Sequence, residues 1–337
     1  MEIPDTVKII MDDIFDTSCN LKELKMNPYE KTINAKSFIN CTKLETFIFP
    51  DTIEIITQYD FKYLSHIKYI IISKHAVKID DNAFYECKSI IKIDIPQNVT
   101  QIGHHSFYNC SSLEDIIIPN NITIIEESTF SGCSSLKHIN IPSNVKHIES
   151  SAFKNCISLE RIQFPAALNY INNEAFSNCS NLSIIEFSPE STLKYIYDKA
   201  FESCRSLLNI QFPNSLENIG IKCFYECRLL TEILIPFNIK LIGEKAFERC
   251  LKAEDLKINP NESKFYDNTF NLCPTLKHLK YDESVTIIQQ INPKPTKSLN
   301  IPLLSLFAQS ITKITIPASV EKIEKHAFYG FSSIEQM

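Results

Sequence analysis

Cysteine is the residue type with the greatest potential for chemistry in this sequence, because ten of the twelve cysteines recur at one regularly repeated position. A regular array of thiols could form disulfides, bind zinc or carry out redox chemistry. The array contains neither a C-x-x-C pair nor a Cys/His spacing typical of zinc sites. We interpret these residues as a ladder of small, half-polar core side chains, with disulfide or redox chemistry as the alternative. The ten positions are Cys41, Cys87, Cys110, Cys133, Cys156, Cys179, Cys204, Cys227, Cys250 and Cys273.

The adjacent His104 and His105 are candidates for acid–base chemistry, yet no nucleophile or orienting acid can be recognised with them in the sequence. The chain also lacks the G-x-S-x-G, H-E-x-x-H and Walker glycine-loop motifs. Gly103, Gly220 and Gly243 each follow an apolar residue before a turn, and we attribute them to the freedom of glycine at positive φ. We therefore predict that the protein is not an enzyme and has no catalytic residue, cofactor site or metal site.

A repeat of 23 residues positions all of these side chains. In the typical repeat the phenylalanine is followed by Cys after three residues, Leu after six, Ile after nine and Pro after twelve, with aliphatic residues at fifteen and eighteen. Leu64 and Ala253 are departures from this pattern. A fixed period of this length predicts a solenoid. The phenylalanines are Phe15, Phe38, Phe61, Phe84, Phe107, Phe130, Phe153 and Phe176 and, after a two-residue insertion, Phe201, Phe224, Phe247 and Phe270.

Each repeat is predicted to contain one strand, one turn and one return. The return is the segment around the repeated phenylalanine that leads the chain back to the strand of the next repeat. The spacing that ends in Ile139 and Ile141 alternates apolar and polar residues, as a short strand does. Pro142 then marks the end of the strand because it has no N–H to continue a ladder. Residues 145–153 predict an extended arc, with a short helical turn at 151–154. Because no repeat can bury its own apolar face, neighbouring repeats must stack at about 4.8 Å per strand.

The regular pattern predicts a single elongated domain over residues 1–337, built from about 14 repeats. A proline-containing stretch near 289–302 interrupts the pattern and predicts a protruding loop. Both ends of the sequence fall within a repeat, which predicts unpaired strand edges. Such edges favour end-to-end self-association, and we keep structural self-assembly as an alternative function.

The complete unit I-x-x-x-A-F-x-x-C-x-x-L-x-x-I-x-I-P-x-x-V is recognisable from Ile148 to Leu168. It resembles the BspA-like leucine-rich repeat, a family of 23-residue repeats associated with bacterial and protist surface proteins. The resemblance covers nearly all of the chain. It implies an α/β repeat solenoid: a curved, right-handed leucine-rich-repeat horseshoe with a parallel concave β-sheet and short helical or irregular convex returns. It also implies the alternative role of a cell-surface adhesin or antigen.

Charge and hydropathy restrict the partners. The net charge of −6 and the pI of about 5.8 argue against binding to nucleic acid, which needs a basic surface. The N-terminal stretch lacks the basic and long apolar regions of a secretory signal. No segment approaches the roughly 18 apolar residues of a membrane span. We therefore favour a cytoplasmic location without membrane insertion, and the cell surface is the alternative that the family suggests.

Function is expected on the outward-facing strand residues, eight and ten positions after each phenylalanine, since side chains alternate across a strand. These positions vary between repeats while the core positions barely change, which is typical of a recognition surface. We predict a protein partner of unknown identity, bound on the concave face; solvated strand positions with scattered apolar residues are the alternative. The predicted surface comprises an apolar patch of Ile48, Tyr69, Ile71 and Ile117, a polar block of His138, Asn140, Arg161 and Gln163, and the charged residues Lys92 and Asp115.

Overall fold

The structure is a computed structural model, and it describes residues 15, 19–25, 38–57, 61, 64–258, 264–265, 268–281, 287–288, 310–323, 327–328 and 331–337. The chain divides into two compact units, residues 1–165 and 166–337, and each is a stack of parallel strands. The single domain of about 14 repeats stays a prediction. Its loop near 289–302 lies outside the described residues.

Most repeats contribute two short strands, which form two columns. The first column is the one that the sequence predicts; the second lies in the segment predicted as an extended arc. Extended backbone needs hydrogen-bond partners, and the same segment of the next repeat supplies them. The first column consists of Glu23–Lys25, Thr46–Ile48, Tyr69–Ile71, Lys92–Asp94, Asp115–Ile116 and Arg161–Phe164 in the first unit, and Ile184–Phe187, Asn209–Ile210, Glu232–Leu234, Asp255–Ile258, His278–Tyr281 and Lys313–Thr315 in the second. The second column consists of Ile55–Ile56, Lys78–Ile79, Gln101–Ile102, Ile124–Ile125 and His147–Ile148 in the first unit, and Tyr170–Ile171, Tyr195–Ile196, Asn218–Ile219, Leu241–Ile242, Lys264–Phe265, Ile287–Ile288 and Lys322–Ile323 in the second.

The parallel register places equivalent residues of successive repeats side by side. In the first unit Phe47 is paired with Ile70, and Ile70 with Ile93. In the second unit Leu256 is paired with Leu279. All five side chains are buried. Because equivalent apolar residues of neighbouring repeats lie side by side, the residues at each repeat position form a continuous ladder in the core.

The repeated phenylalanines form stacks through the centre of both units. From Phe84 to Phe153 and from Phe176 to Phe247 these side chains are fully buried, and neighbouring rings within each stack lie nearly parallel. The ring centroids are separated by 5.3 Å between Phe84 and Phe107, 5.4 Å between Phe107 and Phe130 and 5.3 Å between Phe130 and Phe153 in the first unit, and by 5.3 Å between Phe201 and Phe224 and 5.2 Å between Phe224 and Phe247 in the second. A large ring therefore fills the core at every step of each stack, and each ring depends on the rings above and below it.

The returns are turns, and the predicted helical turn at 151–154 is wrong. Two positions before and two after each return phenylalanine from Phe84 to Phe270, the backbone is left-handed, with φ of 57° at Ser151 and 62° at Asn155 as examples. The N–H of Phe130 donates to the carbonyl of Ala152 in the next repeat at 2.8 Å, instead of to a carbonyl four residues earlier as in a helix. The part of the chain that the structure describes contains no α-helix. The α/β class is therefore corrected to a β-solenoid with irregular returns.

The glycines before the returns serve close packing, which corrects their attribution to positive φ. Gly132 has a φ of 78°, whereas Gly103, Gly220 and Gly243 do not lie in the left-handed region. A Cβ atom on Gly103 would clash with Asp81 Oδ1 and would lie 2.6 Å from the Asp81 backbone nitrogen. At this position only a residue without a Cβ lets the backbones of two successive repeats approach each other this closely.

Replacing Gly243 with alanine is expected to lower the free energy of unfolding by about 1–3 kcal/mol, because the new Cβ overpacks backbone that has no space to move. That Cβ would lie 2.5 Å from the carbonyl carbon of Gly220 and 2.5 Å from the nitrogen of Ile221. Urea unfolding followed by circular dichroism measures the change. Val77→Ala is the control and should stay within about 0.5 kcal/mol of wild type, because the Val77 side chain is 44% exposed. Equal stability of Gly243→Ala and wild type would contradict the close-packing explanation.

Candidate functional site

The outward side chains of the first strand column in residues 46–163 form a surface that we call the strand face. Strand alternation creates it: in Tyr69–Ile71 the central Ile70 is buried, whereas Tyr69 and Ile71 are 43% and 44% exposed. Seven of the ten residues predicted for the binding surface lie in strands of this column. Ile117 and Asn140 pair in an isolated parallel bridge that continues the column, and His138 lies two residues before Asn140. Nine of the ten are exposed, and Ile48 is half-buried. Their role in binding stays a prediction.

Three of the four predicted apolar residues lie together. Ile48 is paired with Ile71 in the parallel register, and Tyr69 lies two residues from Ile71 on the same side of its strand. Ile117 is 62% exposed but lies two repeats further along, with Asp94 at the equivalent position between it and Ile71. The apolar cluster therefore consists of Ile48, Tyr69 and Ile71, and Ile117 is separate from it.

Charged and polar residues continue the strand face beyond the apolar cluster. Lys92 is paired with Asp115 in the register, and Lys92 Nζ lies 3.4 Å from Asp94 Oδ1. Asn140 forms a parallel bridge with Ile117. The polar block itself is exposed and comes from two successive repeats; its members are His138, Asn140, Arg161 and Gln163. The strand face therefore has an apolar cluster at one end and charged or polar groups one to four repeats further along the stack.

The cysteine ladder is a structural element. Every ladder cysteine is buried and has a free thiol. The Sγ of Cys110 lies 3.2 Å from the carbonyl oxygen of Phe84, and Cys133 and Cys156 make the same contact with the preceding repeat. The thiol thus donates to a carbonyl that a methyl group would leave without this partner, which explains why Cys occupies the position instead of Ala. Burial raises the pKa of Cys110 to about 12.

His105 lines a groove that the sequence analysis missed, whereas His104 is not part of its lining. The groove has a volume of about 840 Å³, and its lining includes His105, Tyr85, Tyr108 and Ser131. The two tyrosine rings stack at 5.0 Å, and the His105 ring lies 5.7 Å from that of Tyr108. The signal that could have revealed it is a tyrosine directly after the core phenylalanine in two successive repeats. The groove offers an aromatic wall with small polar side chains beside it.

The repeat itself identifies the family. A model of the BspA type leucine-rich repeat region matches residues 1–114, 100–193, 181–297 and 300–337. The chain belongs to the BspA-type leucine-rich repeat family. The resemblance predicted from the sequence is thereby confirmed, and BspA-type proteins are generally interaction or surface proteins.

Solved structures similar to this BspA-type chain include leucine-rich repeat proteins. A leucine-rich repeat protein from Bacteroides ovatus is 28% identical, with 79% of this chain and 73% of that chain covered and a TM-score of 0.53, and it supports the fold. The leucine-rich repeat protein of T. pallidum is 31% identical over 42% of this chain and 71% of its own, with a TM-score of 0.40. The pneumococcal vaccine antigen PcpA is 18% identical over 99% of this chain and 86% of its own, with a TM-score of 0.48.

Comparison with curated protein sequences finds no match to this BspA-type chain. Within the described residues, no helix has the length and apolar character required to span a membrane.

Proposed function

We propose that this BspA-type chain is a non-enzymatic protein-interaction module that binds a protein partner on the strand face, with Tyr69 as the central anchor. The observation that carries the proposal is the cluster of Ile48, Tyr69 and Ile71. Tyr69 and Ile71 expose 43% and 44% of their area on adjacent outward positions of one strand. Aromatic and aliphatic side chains grouped in this way are typical of the centre of a protein interface.

The strands that carry the cluster favour binding because their backbone is ordered before a partner binds. The strand Tyr69–Ile71 is paired on one side with Thr46–Ile48 and on the other with Lys92–Asp94. Its inward residue Ile70 is 1% exposed and therefore packed in the core. A partner would not have to order this backbone, so more of the interaction energy would contribute to affinity.

Specificity would come from the polar part of the strand face. Lys92 and Asp115 present opposite charges, and His138, Asn140 and Gln163 add exposed hydrogen-bonding groups. Polar groups around an apolar centre mainly determine which partner is accepted and in which orientation. We therefore expect a partner surface with an apolar pocket for Tyr69 and a polar region for the block around Arg161.

We further propose that this interaction takes place in the cytoplasm. The proposal is supported by the free thiols at all ten ladder positions, since reduced thiols are typical of reducing compartments. The role of a cell-surface adhesin or antigen is the alternative that agrees with the family. The identity of the captured partner, in the experiment below, distinguishes the two compartments.

The strand-face variant Tyr69→Ala, Ile71→Ser, Arg161→Ala is expected to bind the partner about 100-fold more weakly, because it removes the anchor, its apolar neighbour and one member of the polar block. The partner is first captured from an extract of the source cells on the immobilised intact protein. Its affinity for both proteins is then measured by isothermal titration calorimetry. Amide-hydrogen exchange of the complex should show protection centred on residues 46–48 and 69–71.

The matched control is the double variant Ile55→Ser, Val77→Ser. These side chains are 46% and 44% exposed, as much as Tyr69 and Ile71, but they lie outside the first strand column. The control should retain wild-type affinity. Undiminished binding by a folded strand-face variant would refute the proposal, and capture of a second copy of this chain would favour self-assembly instead.

A further inference from the structure

A cluster of three arginines surrounds one carboxylate in the second unit, and the proposed function makes no use of it. The Arg228 Nη2 donates to Glu226 Oε2 at 2.8 Å, and the Arg205 Nη2 donates to the same oxygen at 3.2 Å. The Arg249 Nη1 donates to Glu226 Oε1 at 3.1 Å. The Glu226 side chain is only 10% exposed, while the arginine side chains are 45–49% exposed. We call Arg205, Glu226, Arg228 and Arg249 the Glu226 cluster.

The residues of the Glu226 cluster come from the returns of three successive repeats. Arg205 and Arg228 are 23 residues apart and occupy the same position of adjacent repeats, and Arg249 comes from the next repeat. Glu226 has a left-handed backbone with a φ of 60°, and its N–H donates to the carbonyl of Glu248 at 3.0 Å. The ordered turn thus places the carboxylate among the guanidinium groups. With repeats about 4.8 Å apart, the three arginines cover a patch about 10 Å long.

The cluster carries an excess of positive charge in a protein of net charge −6. Three guanidinium groups and one carboxylate leave a surplus of two positive charges, since burial alone would raise the pKa of Glu226 but hydrogen bonds from Arg228, Arg249 and Arg205 hold it below the ordinary value. Lys222 adds a cation nearby, with Nζ 5.5 Å from the centre of the Tyr225 ring.

Two further carboxylates lie on the same returns. Glu202 and Glu248 each follow a core phenylalanine directly, and Glu248 accepts a hydrogen bond from Asn271 at 2.9 Å. Glu248 is buried and Glu202 is half-buried, whereas the three arginine side chains are 45–49% exposed. The exposed guanidinium groups therefore dominate what an approaching anion meets at the Glu226 cluster.

We propose that the Glu226 cluster is a binding site for a phosphomonoester, namely a phosphorylated serine or threonine in a segment of a partner protein. A phosphorylated side chain carries about −1.5 to −2 charges at pH 7, which matches the surplus of the cluster. Each guanidinium has five N–H donors in a planar fork, and its contact with Glu226 uses one nitrogen. The remaining donors can bind phosphate oxygens from several sides, as arginine clusters do in phosphopeptide recognition.

Charge and geometry favour this ligand over a plain acidic segment. A carboxylate supplies one negative charge and two oxygens, whereas a phosphomonoester supplies nearly two charges and three terminal oxygens. Glu226 already holds the three arginines in position, so less side-chain freedom is lost when the phosphate binds. The site does not depend on the strand face of the first unit, so the two proposals can fail independently.

The test uses the full chain and three fluorescent peptides of one neutral sequence that carry phosphoserine, serine or glutamate at the centre. Fluorescence anisotropy at low salt should show the phosphoserine peptide binding about tenfold or more tightly than the serine peptide, with the glutamate peptide in between. Inorganic phosphate should compete, and added salt should weaken binding. Equal binding of the three peptides would overturn the proposal, as would tighter binding of anionic lipid vesicles than of the phosphopeptide.

Variants of Arg228 test whether the phosphopeptide binds at the Glu226 cluster. Arg228→Ala should weaken phosphopeptide binding about tenfold, and Arg228→Lys, which keeps the charge and disturbs the fold less, should weaken it by a smaller factor because the planar fork is lost. Lys240→Ala is the matched control: Lys240 Nζ lies 2.7 Å from Glu217 Oε2, so it also removes one cation beside a carboxylate of the same unit. An equal loss in Lys240→Ala and Arg228→Ala would show unspecific attraction and overturn the proposal.

Discussion

Phe130→Ala is expected to lower the free energy of unfolding by about 3–5 kcal/mol, the largest effect of any single substitution that we predict. Phe130 is fully buried between Phe107 and Phe153, with ring centroids 5.4 Å and 5.3 Å away. Alanine removes the ring from both stacking pairs and leaves a cavity. Because all three rings belong to parallel-paired repeats, the neighbours cannot collapse into the space without breaking strand hydrogen bonds.

Urea unfolding followed by circular dichroism measures the loss, with Phe130→Leu and Ile117→Ala as references. Phe130→Leu keeps an apolar side chain and should cost less than the alanine variant. Ile117 is 62% exposed on the strand face, so Ile117→Ala should stay within about 0.5 kcal/mol of wild type. A loss below about 1 kcal/mol for Phe130→Ala would contradict a rigid phenylalanine stack.

The ladder thiols are expected to react at least about 1,000-fold more slowly in the native protein than in the unfolded chain at pH 8. Burial raises the pKa of Cys110 from 9.0 to about 12, and three pH units lower its thiolate fraction by about three orders of magnitude. Burial also excludes the reagent. Titration with a chromogenic disulfide reagent should therefore count few thiols in buffer and all twelve in urea.

Cys19 provides the control for this experiment because it is half-buried, unlike the other eleven cysteines. Cys19→Ser should abolish a fast phase of the native reaction and leave the slow thiols unchanged. Rapid native reaction of Cys110, Cys133 or Cys156, identified by mass spectrometry of the modified peptides, would show that the ladder is not buried as described.

The raised thiol pKa also predicts how stability depends on pH. In the unfolded chain a thiol of pKa 9.0 loses its proton earlier than buried Cys110 does at about 12. The contribution of this thiol to stability is therefore complete below about pH 9 and is lost as the pH rises from about 9 to 12. Chemical denaturation at pH 8 and pH 10.5 should show a lower midpoint at the higher pH.

The core and the family followed from the sequence because the repeat depends only on which residue types can be buried. Phe130, Cys133 and Leu136 recur at equivalent positions throughout, and all three are fully buried. Alternation in the strands also predicted which residues point outward, such as Tyr69 and Ile71. Burial at the repeat positions and the outward direction of strand side chains depend on local or periodic features, so both can be predicted from the sequence.

The returns were decided by tertiary structure. Their left-handed positions hold residues as different as Asn155, Lys199 and Glu226, so no residue type indicates that conformation. Hydrogen bonds to the next repeat, such as that from the Phe130 N–H to Ala152, stabilise it. The apolar spacing in the returns fits either a helical turn or an irregular turn. Only the hydrogen bonds to the neighbouring repeat determine which of the two conformations forms.

Tertiary structure also decided which side chains meet. The sequence grouped Ile117 with Tyr69 by type, but the register places Asp94 between Ile117 and Ile71. The close approach of Gly103 to Asp81 and the contacts of Arg205 and Arg249 with Glu226 likewise involve residues more than 20 positions apart. The sequence by itself therefore determined the period, the buried ladders and the outward columns, because burial acts on residue types. The conformation of the returns and the contacts between repeats depended on the parallel stacking, because only stacking brings distant backbone and side-chain groups within bonding distance.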